Sequence, residues 1–89
     1  MAATPQDVLE ATALLLEKDG WTQGESMPLK GKPIRCAQAA MRTAAHGLGV
    51  HYSAAEKLLL SRVNAKSVPE WNDACESIDQ VLAVLRGAK

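Results

Sequence analysis

Two cysteines and two histidines, Cys36, His46, His51 and Cys75, are the residues of this chain best suited to chemistry. Together they are the minimum donor set for a tetrahedral zinc site. Their spacing argues against one, because no pair stands as close as a C-x-x-C knuckle or an H-x-x-x-H helical pair. No metal and no other cofactor is expected. A cysteine nucleophile is the next candidate. Cys36 opens a helical pattern, where the helix dipole can lower a thiol's pKa, and Arg35 stands beside it. His46 lies nearly three turns further on, and no third group is placed to orient it. Cys36 therefore reads as a small buried residue filling an alanine-rich face. Glu70 and Asp73 are close in sequence, but capping roles account for both. Gly47-Leu48-Gly49 lacks the lysine and the preceding strand of a phosphate loop. The chain is not expected to be an enzyme.

Binding residues are better represented. Lys30, Lys32, Arg35 and Arg42 stand in a block, 26–50, that has no acid. Joined by Lys57, Arg62 and Lys66 they would form one basic face, and small helical domains put such faces on nucleic acid. Against that, the sequence pI of about 6.7 is well below the range of a dedicated nucleic-acid binder. The helix carrying Arg35 and Arg42 is also too rich in alanine for an exposed recognition helix. The two tryptophans, in a chain with one tyrosine and no phenylalanine, can be core plugs or docking hot spots. Trp71 reads as a plug and Trp21 as either. The surface expected to meet a partner is Trp21, Gln23, Lys30, Lys32, Arg35 and Arg42. Charge reversal at Arg35 and Arg42 should weaken that contact without unfolding the chain.

The elements that must position these residues are short helices. Thr4-Pro5-Gln6-Asp7 supplies a cap, a proline for the first turn and an acid for the dipole. Val8, Leu9, Ala11, Leu14, Leu15 and Leu16 then give a broad apolar stripe ending at Gly20. Gly24, Pro28, Gly31 and Pro33 break any helix between Trp21 and Ile34, where an irregular loop or a short β-ribbon is expected. A second helix runs from about Arg35 or Cys36 to His46, ended by Gly47. Its alanines make it thin, which predicts the central, most buried position. A third helix starts at the capping box Ser53-Ala54-Ala55-Glu56, with Ala55, Leu58, Leu59 and Val63 inward and Lys57, Arg62 and Lys66 outward. Leu60 sits off that stripe. Ser67-Val68-Pro69-Glu70 begins a short turn carrying Trp71. Ser77-Ile78-Asp79-Gln80 opens the last helix, whose Ile78, Val81, Leu82 and Leu85 follow the i, i+3, i+4, i+7 pattern. The predicted core is Val8, Leu15, Trp21, Cys36, Ala40, Leu58, Leu59, Trp71, Ile78, Leu82 and Leu85.

These elements fit one small, mainly α-helical domain over 1–89: about four short helices with an irregular or ribbon-like insertion at about 21–34. Its 89 residues and 47% apolar composition suit a thin but real core. Net charge is zero, yet 1–25 holds five acids against Lys18, and 67–80 holds four acids and no base. Such blocks are expected to pair across the folded surface. Met1 to Asp7 has neither the basic start nor the apolar run of a secretory signal, and no stretch approaches the ~20 apolar residues of a membrane span. A cytoplasmic setting follows, with Cys36 and Cys75 as thiols rather than a disulfide.

Gly20-Trp21-Thr22-Gln23-Gly24, then Cys36-Ala37 opening an alanine-rich helix, then Trp71-Asn72-Asp73-Ala74 before Val81-Leu82-Ala83-Val84-Leu85, form an ordered pattern across nearly the whole chain. It resembles a family of small domains found in actinobacteria and their phages, for which no activity is assigned. In that family proline often follows Trp-Asn-Asp-Ala; here the residue is Cys75. The resemblance carries over no catalytic or binding residue. It implies a bacterial or phage source, an intracellular setting and a phage protein acting on a host target. The expected function is a non-enzymatic protein-interaction module, with a host protein as partner and no membrane. A nucleic-acid-binding protein is the alternative.

Overall fold

The computed structural model describes residues 3–21 and 36–87. They form five helices: α1 (Pro5–Asp19), α2 (Ala37–Leu48), α3 (Ser53–Arg62), α4 (Val68–Ala74) and α5 (Ile78–Leu85). The fold is mainly α. Of the insertion expected at about 21–34, only Trp21 lies within the described residues.

The start of α1 follows its sequence closely. Thr4 Oγ1 accepts from Asp7 N–H, and the Asp7 carboxylate accepts from Thr4 N–H, so the box is closed in both directions. Pro5 fills the first turn, and Gly20 ends the helix with φ 100°. Because α1 packs on α2, α3 and α5, it buries a wide stripe of Val8, Leu9, Thr12, Ala13 and Leu16. Thr12 is tolerated there because its hydroxyl donates to Val8 O at 2.6 Å, leaving no unsatisfied group.

Helix α1 is thus the hub, a place the sequence reading gave to α2. Helix α2 runs on through Gly47 to Leu48, and the left-handed residue that stops it is Gly49 at φ 74°. Its thin side, Ala37, Ala40, Ala44 and Ala45, does bury closely, with Met41 filling the space that alanine leaves. The stretch expected as a turn around Trp71 is a two-turn helix, α4, capped by Ser67 Oγ on Glu70 N–H. Proline at its second position and acid at its third favour the helix. Trp71 is buried, as expected of a plug.

One cluster of buried residues draws on all five helices. Val8, Ala40, Leu59, Trp71 and Leu85 of the predicted core lie in it, while Leu15, Trp21, Leu58, Ile78 and Leu82 are half-buried at its edge and Cys36 is half-buried at the cap of α2. Leu9, Leu16, Met41, Val68 and Val81 take the interior places. In α1, α3 and α5 the apolar residues exceed one stripe, and the angle at which neighbours approach decides which turn inward.

Candidate functional site

The two tryptophan motifs meet at Asn72. Its side chain is fully buried, and its Oδ1 accepts from Trp21 Nε1 at 2.7 Å and from Ala37 N–H at 2.9 Å. Ala37 begins α2, so its N–H is one of the donors a helix start leaves unpaired. A second, on Ala39, is taken by Cys36 Sγ at 3.4 Å. Asn72 therefore ties the end of α1, the start of α2 and α4 together, and Trp21 is held half-buried by this bond. The side chain that Gly-Trp and Trp-Asn-Asp share was not singled out from the sequence. Its place directly after Trp71 was the one signal for it in the sequence.

Cys36 is half-buried at the cap of α2, and Cys75 is buried at the end of α4; both are thiols. Burial pushes the Cys75 thiol up from its ordinary value. Among the described residues, no three of His, Cys, Asp and Glu come together as a metal-holding set.

Of the residues expected to meet a partner, Trp21 and Arg42 are placed. Gln23, Lys30, Lys32 and Arg35 lie outside the described residues. Trp21 is attached to Asn72, whereas Arg42 is exposed further along α2 with its guanidinium 5.0 Å from the centre of the Tyr52 ring. Arg62, expected to face outward, is half-buried instead. It donates to Val84 O at 3.1 Å, to Leu85 O at 3.4 Å and to Gln6 Oε1, because the last turn of α5 offers carbonyls that a cation complements.

Two surface grooves stand out. One, of about 410 Å³, runs between α1 and α2 and is lined by Ala11, Leu14, Leu15, Lys18, Thr43, Ala44, Gly47 and Leu48. Leu14 is 61% exposed and Leu48 43%, the two large apolar residues left open to water among the described residues. They wall a floor of Ala11, Ala44 and Gly47. A side chain built on Gly47 would meet nothing within 4 Å. Glycine there needs no unusual backbone, and it costs about 0.5 kcal/mol against alanine in a helix. Lys18 is the one charged residue of this lining, and among the described residues it makes no ion pair. The second groove, of about 430 Å³, lies at the join of α2 and α3 and is lined by Arg42, Ala45, His46, Val50, His51 and Tyr52.

The comparisons agree with the pattern read from the tryptophan motifs. A family of unknown function, DUF6197, matches over residues 1–89. The chain belongs to this family. No curated protein and no solved structure matches the chain. No helix among the described residues is long and apolar enough to cross a membrane.

Proposed function

We propose that this DUF6197 protein is a non-enzymatic protein-interaction module of the cytoplasm, a phage-encoded modulator of a host protein, and that an amphipathic helix of the partner lies along the α1–α2 groove. The observation that carries this reading is the pair of exposed leucines standing over small residues. Helix-in-groove recognition uses such a trough, with apolar anchors spaced three and four residues apart. Lys18 sets the charge of the occupant. A cation in the lining, with no acid there, complements a helix that carries a carboxylate beside its apolar anchors. The phage and actinobacterial setting rests on the resemblance of the tryptophan motifs.

The test is capture of partners from nuclease-treated actinobacterial lysate by the intact chain and by variants of the groove. Support consists of one stoichiometric protein that is lost with Leu14→Glu plus Leu48→Glu and weakened by Lys18→Glu. Gly47→Ala should weaken the same capture while raising thermal stability, a combination that simple destabilisation cannot produce. Equal capture by all variants overturns the reading. So does a concentration-dependent dimer abolished by the leucine substitutions, since the occupant would then be a second copy.

Nucleic acid is the second reading, favoured by the exposed Arg42 beside Tyr52. It requires binding that falls steeply with salt, with a slope reduced when Arg42 is replaced.

A further inference from the structure

The α2–α3 groove has a chemistry of its own, independent of the leucine trough. Arg42 and His46 stand one helical turn apart on α2, both exposed, and His51 is exposed across from them. Arg42 and His51 are held by Tyr52 and Ser53. The Arg42 guanidinium lies over Tyr52 and its Nη2 reaches the tyrosine hydroxyl at 3.4 Å. The His51 ring stacks on Tyr52 at 4.7 Å between centroids with planes 22° apart. Its Nδ1 accepts from Ser53 N–H at 3.1 Å, so the neutral ring carries its proton on Nε2 and can donate it to a ligand.

What this cluster lacks, among the described residues, is an anion. The other described arginines have acceptors: Arg86 pairs with Glu10 and Glu17, and Arg62 with the carbonyls ending α5. Among the described residues Arg42 has only the tyrosine hydroxyl, and no carboxylate is in the groove's lining. A guanidinium fork and two imidazoles lining one groove match the oxygens of a phosphoryl group, and such charge-assisted bonds are the strong ones. The Ala45 and Val50 side chains add an apolar floor for the group the phosphate is attached to.

We propose that the Arg42–His46–His51 groove is a binding site for a phosphate monoester, with the phosphoryl group held by these three side chains. The ester can be a free nucleotide or the 5′-phosphate of a nucleic-acid end, and the test separates them. The intact chain is titrated at pH 7 with adenosine monophosphate, adenosine, a 5′-phosphorylated single-stranded oligonucleotide and its unphosphorylated twin. The imidazole proton resonances of His46 and His51 are followed, and these are the chain's two histidines. Expected is a saturable shift of both with either phosphorylated ligand, at a Kd below about 1 mM, and none with adenosine. Arg42→Gln and, separately, His46→Gln should each weaken it about tenfold, the loss of one charge-assisted bond, with unchanged far-ultraviolet circular dichroism. Tighter binding of the phosphorylated oligonucleotide than of the mononucleotide assigns the site to nucleic-acid ends, and equal binding assigns it to nucleotides. No saturable shift, a shift equal for adenosine, or binding indifferent to both substitutions overturns the proposal. Leu14→Glu should leave this titration unchanged, so the site and the leucine trough stand or fall separately.

Discussion

At the scale of single residues, Asn72 decides more than any charged group. Its one oxygen serves two donors on different elements, Trp21 Nε1 and Ala37 N–H. Replacing it with alanine strands both, the Ala37 N–H in a buried site and the Trp21 Nε1 in a half-buried one, at about 1–3 kcal/mol for a buried unpaired group. Asn72→Ala should therefore lower the unfolding free energy in urea by about 2–4 kcal/mol, with a change in tryptophan emission as Trp21 loses its partner. A loss under 1 kcal/mol would mean the Trp21 bond is incidental. This tie was half legible in the sequence. The tryptophans marked both motifs, and Trp71 read correctly as a plug, but an asparagine inside a short helix looks like any polar residue until its partners are known. Cys75 is a second residue-scale case. Burial raises its thiol pKa, so between the unfolded and folded values only the unfolded chain releases the proton. The stabilising contribution is complete below the unfolded thiol value and is lost as pH rises through the folded one. In the native chain a maleimide should label Cys36 first, with Cys75 labelling only as fast as the protein opens.

At the scale of elements, helix ends show where pattern reading succeeds and where it fails. The Thr4, Ser67 and Ser77 caps stand where the sequence placed them, each side chain accepting from the backbone three residues on. In α4 and α5 the reciprocal half of the box moves by one residue. Glu70 accepts from Lys66 N–H and Gln80 from Glu76 N–H, rather than from the capping serines. The Ser53 box fails outright. Ser53 is already inside α3, and Tyr52, the N-cap of that helix, makes no side-chain capping bond. The donor at Ser53 N–H goes to the His51 ring, which no serine-based rule would find, since the ring is held by stacking on Tyr52. Loss of a cap typically costs about 0.5–2 kcal/mol. His51→Ala should fall near the lower end of that range, and Ser53→Ala should cost less; the reverse order in thermal unfolding would restore the serine cap.

At the scale of the whole molecule, two arginines hold the ends of the chain together in different ways. Arg86 bridges from the end of α5 to Glu10 and Glu17 of α1, so the acidic start does pair across the surface, with a base from the far end of the chain. The hydrogen bond from Arg86 holds the Glu17 carboxyl below its ordinary value. A carboxylate lowered in the folded state contributes above its unfolded value, and the contribution disappears as pH falls through the folded one. Both groups are in water, however, and salt screens them. Arg86→Ala should shift the melting temperature slightly at low salt and neutral pH, and not at all in high salt or below the carboxylate range. Arg62 is the opposite case. It is half-buried, bonded to two carbonyls at the end of α5 and to Gln6 of α1, while Gln6 Nε2 donates to Leu85 O at 3.0 Å. Three helices meet in this clasp, and bonds from a charged donor are worth about 1.5–3 kcal/mol. Arg62→Ala should cost about 2 kcal/mol or more at any salt concentration, and Gln6→Ala should add little to it, because the two residues act on one carbonyl. An Arg62→Ala penalty that fades with added salt would place Arg62 among the surface charges, where the sequence alone had put it.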